Sequence, residues 1–132
     1  MWANAHSNYF TVALRILFGA FIFFKGLFFL EQTDYLYHLV SSVSGQGIYF
    51  MMVHYVAVAH LCGGFLITLG LLTRWCALVQ LHVLAGAVLI NFMGVMNLSN
   101  LVQASLGLLL CSFFVYYGSG RHSVDHSLKL HV

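Results

Sequence analysis

The sequence predicts an all-α integral membrane protein: a four-helix bundle of up-down-up-down topology with both termini in the cytoplasm. Three observations carry this expectation. Hydrophobic residues make up 61% of the chain and charged residues 6%, against about a quarter charged in an ordinary soluble domain. A chain of 132 residues is too small to hide that much apolar surface from water. The apolar residues fall into four long runs, each near the roughly 20 residues a membrane-crossing helix needs. The runs are too long and too uniform for strands, which would alternate, and the absence of proline leaves helices uninterrupted.

The first run covers about residues 9–30. The stretch before it, Met1 to Asn8, is polar and lacks the basic segment of a cleaved leader, so the run is expected to remain as a span. A longer connection follows, from Glu31 to Gly47, with Gln32, Asp34 and several serines. Its middle, Tyr35 to Val40, is amphipathic and suited to lie along the membrane surface. The second span covers about 48–72 and the third about 75–96. The turn between them, Leu71-Leu-Thr-Arg-Trp75, is so short that the two must be antiparallel neighbours. The third connection, Met96-Asn-Leu-Ser-Asn100, offers Asn97 or Ser99 as a cap for the fourth span at about 98–117. Gly118-Ser-Gly-Arg121 then opens a polar tail, residues 118–132. No linker divides the chain, so residues 1–132 read as one membrane domain.

Orientation follows from basic residues outside the spans. Arg74, Arg121 and Lys129 fall in the second connection and the tail, which share one side of a four-span protein. The first and third connections carry neither lysine nor arginine, and the first carries Glu31 and Asp34. These counts place both termini inside.

A net charge of +2 gives no basis for nucleic-acid binding. Cys62, Cys76 and Cys111 form no CxxC pair, which argues against a disulfide framework or zinc site and for small apolar packing residues. Paired carboxylates, a Ser-His-Asp arrangement, a phosphate loop and a haem-attachment motif are all missing, so no independent catalytic activity is expected.

Ionisable groups within a membrane are costly and mark bundle interiors, cavities or interfaces. Arg15 lies near the cytoplasmic end of the first span, where snorkelling to phosphates or to a loop accounts for it. Lys25 lies towards the outer end, placed to pair with Glu31 or Asp34 or to help bind an acidic or quinone-like head group. Asn91, Asn97 and Asn100 gather near the outer ends of the third and fourth spans, beside Lys25, and together outline a small polar pocket at the outer leaflet. His54 and His60 lie in the second span and His82 in the third. A six-residue spacing separates the first two by about 120° around a helix, so they cannot grip one metal together. His60 and His82, on adjacent helices, are candidate axial ligands of a haem; an interhelical hydrogen bond accounts for them equally. All three histidines are candidate haem or quinone contacts. His122, His126 and His131 are expected to be solvated in the tail. Gly63, Gly64, Gly70 and Gly86, with Ala85 and Ala87, offer small surfaces for packing the second span on the third.

Three blocks carry a family resemblance. Arg15-Ile-Leu-Phe-Gly-Ala-Phe-Ile-Phe-Phe-Lys-Gly26 looks like the opening of the DoxX family. Gly63-Gly-Phe-Leu-Ile-Thr-Leu-Gly-Leu-Leu-Thr-Arg-Trp75 is similar to its glycine-pair, leucine-glycine and threonine-arginine pattern. Gly118-Ser-Gly-Arg-His-Ser-Val-Asp125 resembles its closing segment. The resemblance implies a four-helix protein of the bacterial inner membrane, linked with membrane redox chemistry such as thiosulfate:quinone oxidoreduction. Arg15, Lys25, Arg74 and Asp125 match the family's polar points in placement, without a catalytic role carried over. Many relatives have a glutamate before the glycine pair where this chain has His60. The expected role is a small accessory subunit of a quinone-linked, respiratory-type assembly, in contact with the lipid bilayer and a larger membrane complex. A haem-binding electron carrier and a structural or assembly subunit are the alternatives.

Overall fold

The computed structural model of the chain describes residues 2–34, 38, 46–94, 96–118 and 128. The amphipathic stretch 35–40, His38 apart, lies outside the described residues, as do Arg121, His122, Asp125, His126, Lys129 and His131. Among the described residues four long helices follow one another: α1 Trp2–Glu31, α2 Gln46–Leu69, α3 Thr73–Met93 and α4 Leu98–Tyr117. All four are long and apolar enough to cross a membrane. The first exceeds the sequence-based limits, continuing back to Trp2, while its membrane-length portion begins at Tyr9.

The helix ends explain the remaining boundary differences. α2 stops at Leu69, three residues before the predicted limit, because Gly70 takes a left-handed φ of 73°. Its N–H donates to Ile67 O at 3.1 Å, and Leu71 N–H donates to Leu66 O at 2.9 Å. This is the paired bond of a Schellman stop, which satisfies carbonyls a helix end leaves open. Leu72 also lies in the left-handed region, at φ 49°, and the chain re-enters helix at once at Thr73. α3 ends at Met93, with Gly94 N–H still donating to Ile90 O. Asn97, one of the two expected caps, begins α4: its side chain accepts from Ser99 N–H at 3.1 Å and Asn100 N–H at 3.4 Å.

α1 packs intimately along α2, α3 along α4, α2 joins α3 more lightly, and α1 meets α4 at few points. Glycines set the first of these contacts. A Cβ placed on Gly64 would lie 2.8 Å from Gly19 O and 2.8 Å from Phe23 Cα, and one on Gly26 would lie 2.9 Å from Leu61 N. The two backbones therefore touch, the arrangement by which membrane helices gain dispersion energy where no hydrophobic drive exists between them. The neighbouring Gly63 faces the other way. The Gln80 amide of α3 occupies the space a side chain at Gly63 would take, and its Nε2 donates to Ala59 O of α2. Gly64 thus serves α1 rather than α3, and Gly70 serves the turn. Gly86 has no atom within 4 Å of its Cβ position, so the expectation that it packs α2 on α3 gives way.

Between the hairpins lies a core of Phe18, Ile22, Ile67, Leu84, Cys111 and Phe114 with smaller neighbours. Phe18 and Phe114 stack at 5.9 Å and join α1 to α4 near the end that bears the α2–α3 turn. Cys76 and Cys111 are buried as expected, whereas Cys62 is exposed on the outer surface of α2.

Gln80 is fully buried, and its Oε1 has no hydrogen-bond partner. An interhelical hydrogen bond in a membrane averages about 0.6 kcal/mol, and an unsatisfied buried oxygen costs about 1–3 kcal/mol. Gln80→Met, close in volume, is therefore expected to leave the bundle as stable in detergent or up to about 2 kcal/mol more stable. A steric-trapping or denaturant titration checks this.

Candidate functional site

Along α1, Phe18, Ile22, Lys25 and Phe29 share one stripe at three- and four-residue spacing, while Gly19 and Gly26 lie on the stripe facing α2. The first two of these are core residues. Lys25, a turn further on, follows the same face into a region where α1 has drawn away from α3 and α4. There it lines a cavity of about 370 Å³ with Gln32, Asn91, Ser99, Asn100 and Gln103. Phe21, Phe28 and Phe29 form the α1 wall, and Leu84 and Ala104 are among the residues closing it on the α3–α4 side. Of the residues expected to outline a polar pocket, Lys25, Asn91 and Asn100 line this cavity, at the end of the bundle that bears the α3–α4 turn, whereas Asn97 does not.

The α3 and α4 wall of this cavity is fixed by hydrogen bonds. Asn91, 4% exposed, accepts from Asn97 N–H at 2.8 Å and donates from Nδ2 to Asn97 O at 3.1 Å. Asn97 in turn caps α4, so one side chain of α3 fixes the start of the next helix. One turn along α4, Gln103 Nε2 donates to Ser99 Oγ at 3.3 Å, while Gln103 Oε1 has no partner.

Among the described residues, the Lys25 ammonium contacts no carboxylate; it lies 6.0 Å from the centre of the Phe21 ring and 5.7 Å from that of Phe28. Aromatic faces attract a cation weakly and leave its N–H groups available. Glu31 and Asp34 are exposed and do not reach it. Lys25 therefore offers a charged donor to whatever enters the cavity.

A second cavity, about 310 Å³, runs from this one along the α1–α4 seam and shares Phe21 and Gln103 with it. Its other walls are apolar, among them Leu14, Leu17, Leu106 and Leu110. A chamber with polar groups thus borders a greasy groove, a pairing that suits an amphiphile with a head and a tail.

Arg15 is only 3% exposed, so it is covered by the protein and does not extend to lipid phosphates. It lies one turn from Phe18, towards the α2–α3 turn. Arg74 is exposed, and its guanidinium covers Gly118 at the end of α4, with Nε 3.1 Å from the Gly118 Cβ position. A cation there complements the helix dipole. The threonine-arginine block and the start of the closing glycine block, distant in sequence, meet at this point.

The histidines separate. His54 is exposed on α2, its Nδ1 bonded to Phe50 O at 2.9 Å and its ring tilted on Phe50 at 4.3 Å. His60 is 4% exposed; with His82 it lines a crevice of about 170 Å³ between α2 and α3. That volume is below the roughly 300–1,000 Å³ of ordinary ligand pockets and does not fit a porphyrin. No group of three metal-ligating side chains exists among the described residues. Sequence reasoning missed Phe21, Phe28 and Gln103 as site residues; only their helical spacing from Lys25 and Asn100 could have pointed to them.

Four membrane-length helices with a polar chamber and apolar groove define a multi-pass membrane protein of the small-bundle class. The DoxX family model matches residues 10–93, well over half of the chain. The chain belongs to the DoxX family. The match covers α1 to α3, so the resemblance of the 118–125 block lies beyond it. No curated protein and no solved structure matches the chain.

Proposed function

We propose that this chain is a small accessory subunit of a quinone-linked redox assembly in a bacterial inner membrane, with both termini cytoplasmic. The observation that carries the reading is the chamber around Lys25, whose ammonium has no carboxylate partner among the described residues, beside an apolar groove. A quinone head presents two carbonyl acceptors and a flat ring. Lys25 Nζ and the Ser99 hydroxyl supply donors, the Phe21 and Phe28 rings supply flat apolar walls, and the α1–α4 seam takes the isoprenoid tail. Orientation from basic residues puts this chamber in the outer leaflet. With no proton-relay carboxylate lining the chamber and no metal cluster among the described residues, the role that fits is to hold quinone for a larger partner.

The test is purification in mild detergent with quantitation of copurified lipid quinone and proteins. We expect near-stoichiometric quinone and a larger redox partner. Lys25→Met removes a charged hydrogen bond worth about 1.5–3 kcal/mol, so quinone affinity should fall at least about tenfold with the fold intact. Free protein without quinone, together with unchanged quinone-linked respiration after deletion, would overturn the reading. A Soret band after haem-replete expression would transfer it to electron carriage by His60 and His82.

A further inference from the structure

The crevice between α2 and α3 contains a polar group that the packing of the bundle leaves without a partner. His60 is 4% exposed and lies near the middle of the α2 membrane span. Its Nδ1 is 2.9 Å from Val56 O. A carbonyl oxygen can only accept, so Nδ1 carries the hydrogen, and in the neutral ring Nε2 is left as a lone-pair acceptor. No hydrogen bond reaches that nitrogen from any described residue. Phe29 of α1 packs edge-on against the ring at 5.3 Å and 77° and so fixes its plane.

The surroundings argue against water as the resident partner. Beside His60, only Tyr55 and His82 bring polar side chains to the lining, both from exposed positions at the rim, and Met52, Val56, Val83 and Ile90 make most of the wall; a buried water needs two to four polar partners. An acceptor in hydrocarbon without a donor is costly, so a membrane-soluble donor has something to gain. Gly86 gives it room: no atom lies within 4 Å of its Cβ position, and it lines the same crevice. The volume is about 170 Å³, and an apolar cavity of about 150 Å³ admits benzene. Half-exposed Tyr55 and Met52 at the rim open it to the bilayer.

We infer that this crevice is a second ligand site, which takes a single aromatic ring bearing a hydroxyl: the phenol class, reduced hydroquinones included. The ring fills the space over Gly86, and its O–H donates to His60 Nε2. The crevice borders the Lys25 chamber, with Phe29 and Ala87 as common walls, but its polar contact is His60 rather than Lys25, and it does not depend on quinone binding there.

The experiment uses the full chain in nanodiscs with ¹⁵N-histidine and two probes of equal size, 4-butylphenol and its methyl ether. The ether lacks the O–H. The His60 resonances are assigned by their loss in His60→Gln. We expect 4-butylphenol to move the His60 Nε2 resonance saturably, and the ether to need at least a tenfold higher concentration or to leave it unmoved. Gly86→Leu, which projects a side chain into the crevice from an open Cβ position, should abolish the shift, and Lys25→Met should preserve it. Equal responses to phenol and ether, an unchanged titration in Gly86→Leu, or no saturable shift would each overturn the inference. Should His60→Gln fail to fold, the ether and Gly86→Leu comparisons still decide it. Loss of quinone in Lys25→Met with the phenol shift intact separates the fate of this site from that of the first.

Discussion

Gly64→Leu is expected to break the α1–α2 pair and to prevent a stable folded bundle. The atoms that a side chain at Gly64 would meet are backbone: Gly19 O and Phe23 Cα, both 2.8 Å from the Cβ position. Backbone within a helix cannot swing aside as a side-chain tip can, so the helices must separate along much of their length. That separation forfeits the closest packing in the molecule, where small residues replace the hydrophobic drive absent in lipid. Overpacking commonly costs about 1–3 kcal/mol, and contact with two rigid backbones places this variant at or above the top of that range. Gly86→Leu adds the same side chain where the Cβ position is empty, and should change stability little. Parallel denaturant titrations in one detergent check the pair. If both variants unfold alike, helix approach at Gly64 is not what holds α1 to α2.

The contrast between these glycines marks how far the sequence could be read. Four spans were legible from run length and hydropathy, and the fourth, 98–117, agrees with its helix to the residue. The face each helix buries was not legible in the same way. In water an apolar stripe reveals the inward side, but in lipid both sides are apolar: Phe24 and Leu17 are as hydrophobic as buried Phe18 and Ile22, yet are 67% and 68% exposed. Gly63 and Gly64 look equivalent in sequence, yet one receives Gln80 and the other meets α1.

Polar residues carried more information. Lys25, Asn91 and Asn100 predicted a polar pocket from position along the spans alone, because depth in the membrane follows from sequence order. They could not reveal that Arg15 is buried or that Glu31 and Asp34 stay away from Lys25, since both depend on how the elements pack around them. Position predicted level, and packing decided direction. The apolar groove was invisible for the same reason: it lies along the α1–α4 seam, where the two helices meet at few points, and no local pattern encodes how closely two helices approach.

Asn91→Leu should have the largest effect of any change at the chamber, on stability and on quinone together. Leucine is near in size and suits the core, yet it removes both hydrogen bonds to Asn97, at 2.8 and 3.1 Å. Asn97 O keeps Leu101 N–H as a donor at 3.0 Å, but Asn97 N–H loses the acceptor that held it in a partly buried site. One bond at about 1 kcal/mol, plus a part-buried donor left without its acceptor at about 1–2 kcal/mol, gives a loss of about 2–3 kcal/mol. The release also frees Asn97 from the geometry in which it caps Ser99 and Asn100, whose side chains line the chamber. Copurified quinone should therefore fall even in molecules that remain folded, whereas Lys25→Met lowers quinone without lowering stability. Thermal unfolding and quinone content, measured on the same preparations, separate the two. Asn91→Leu with normal stability would show that the turn is held by something other than this side chain, and normal quinone content despite a lowered midpoint would detach the chamber from the turn that shapes it.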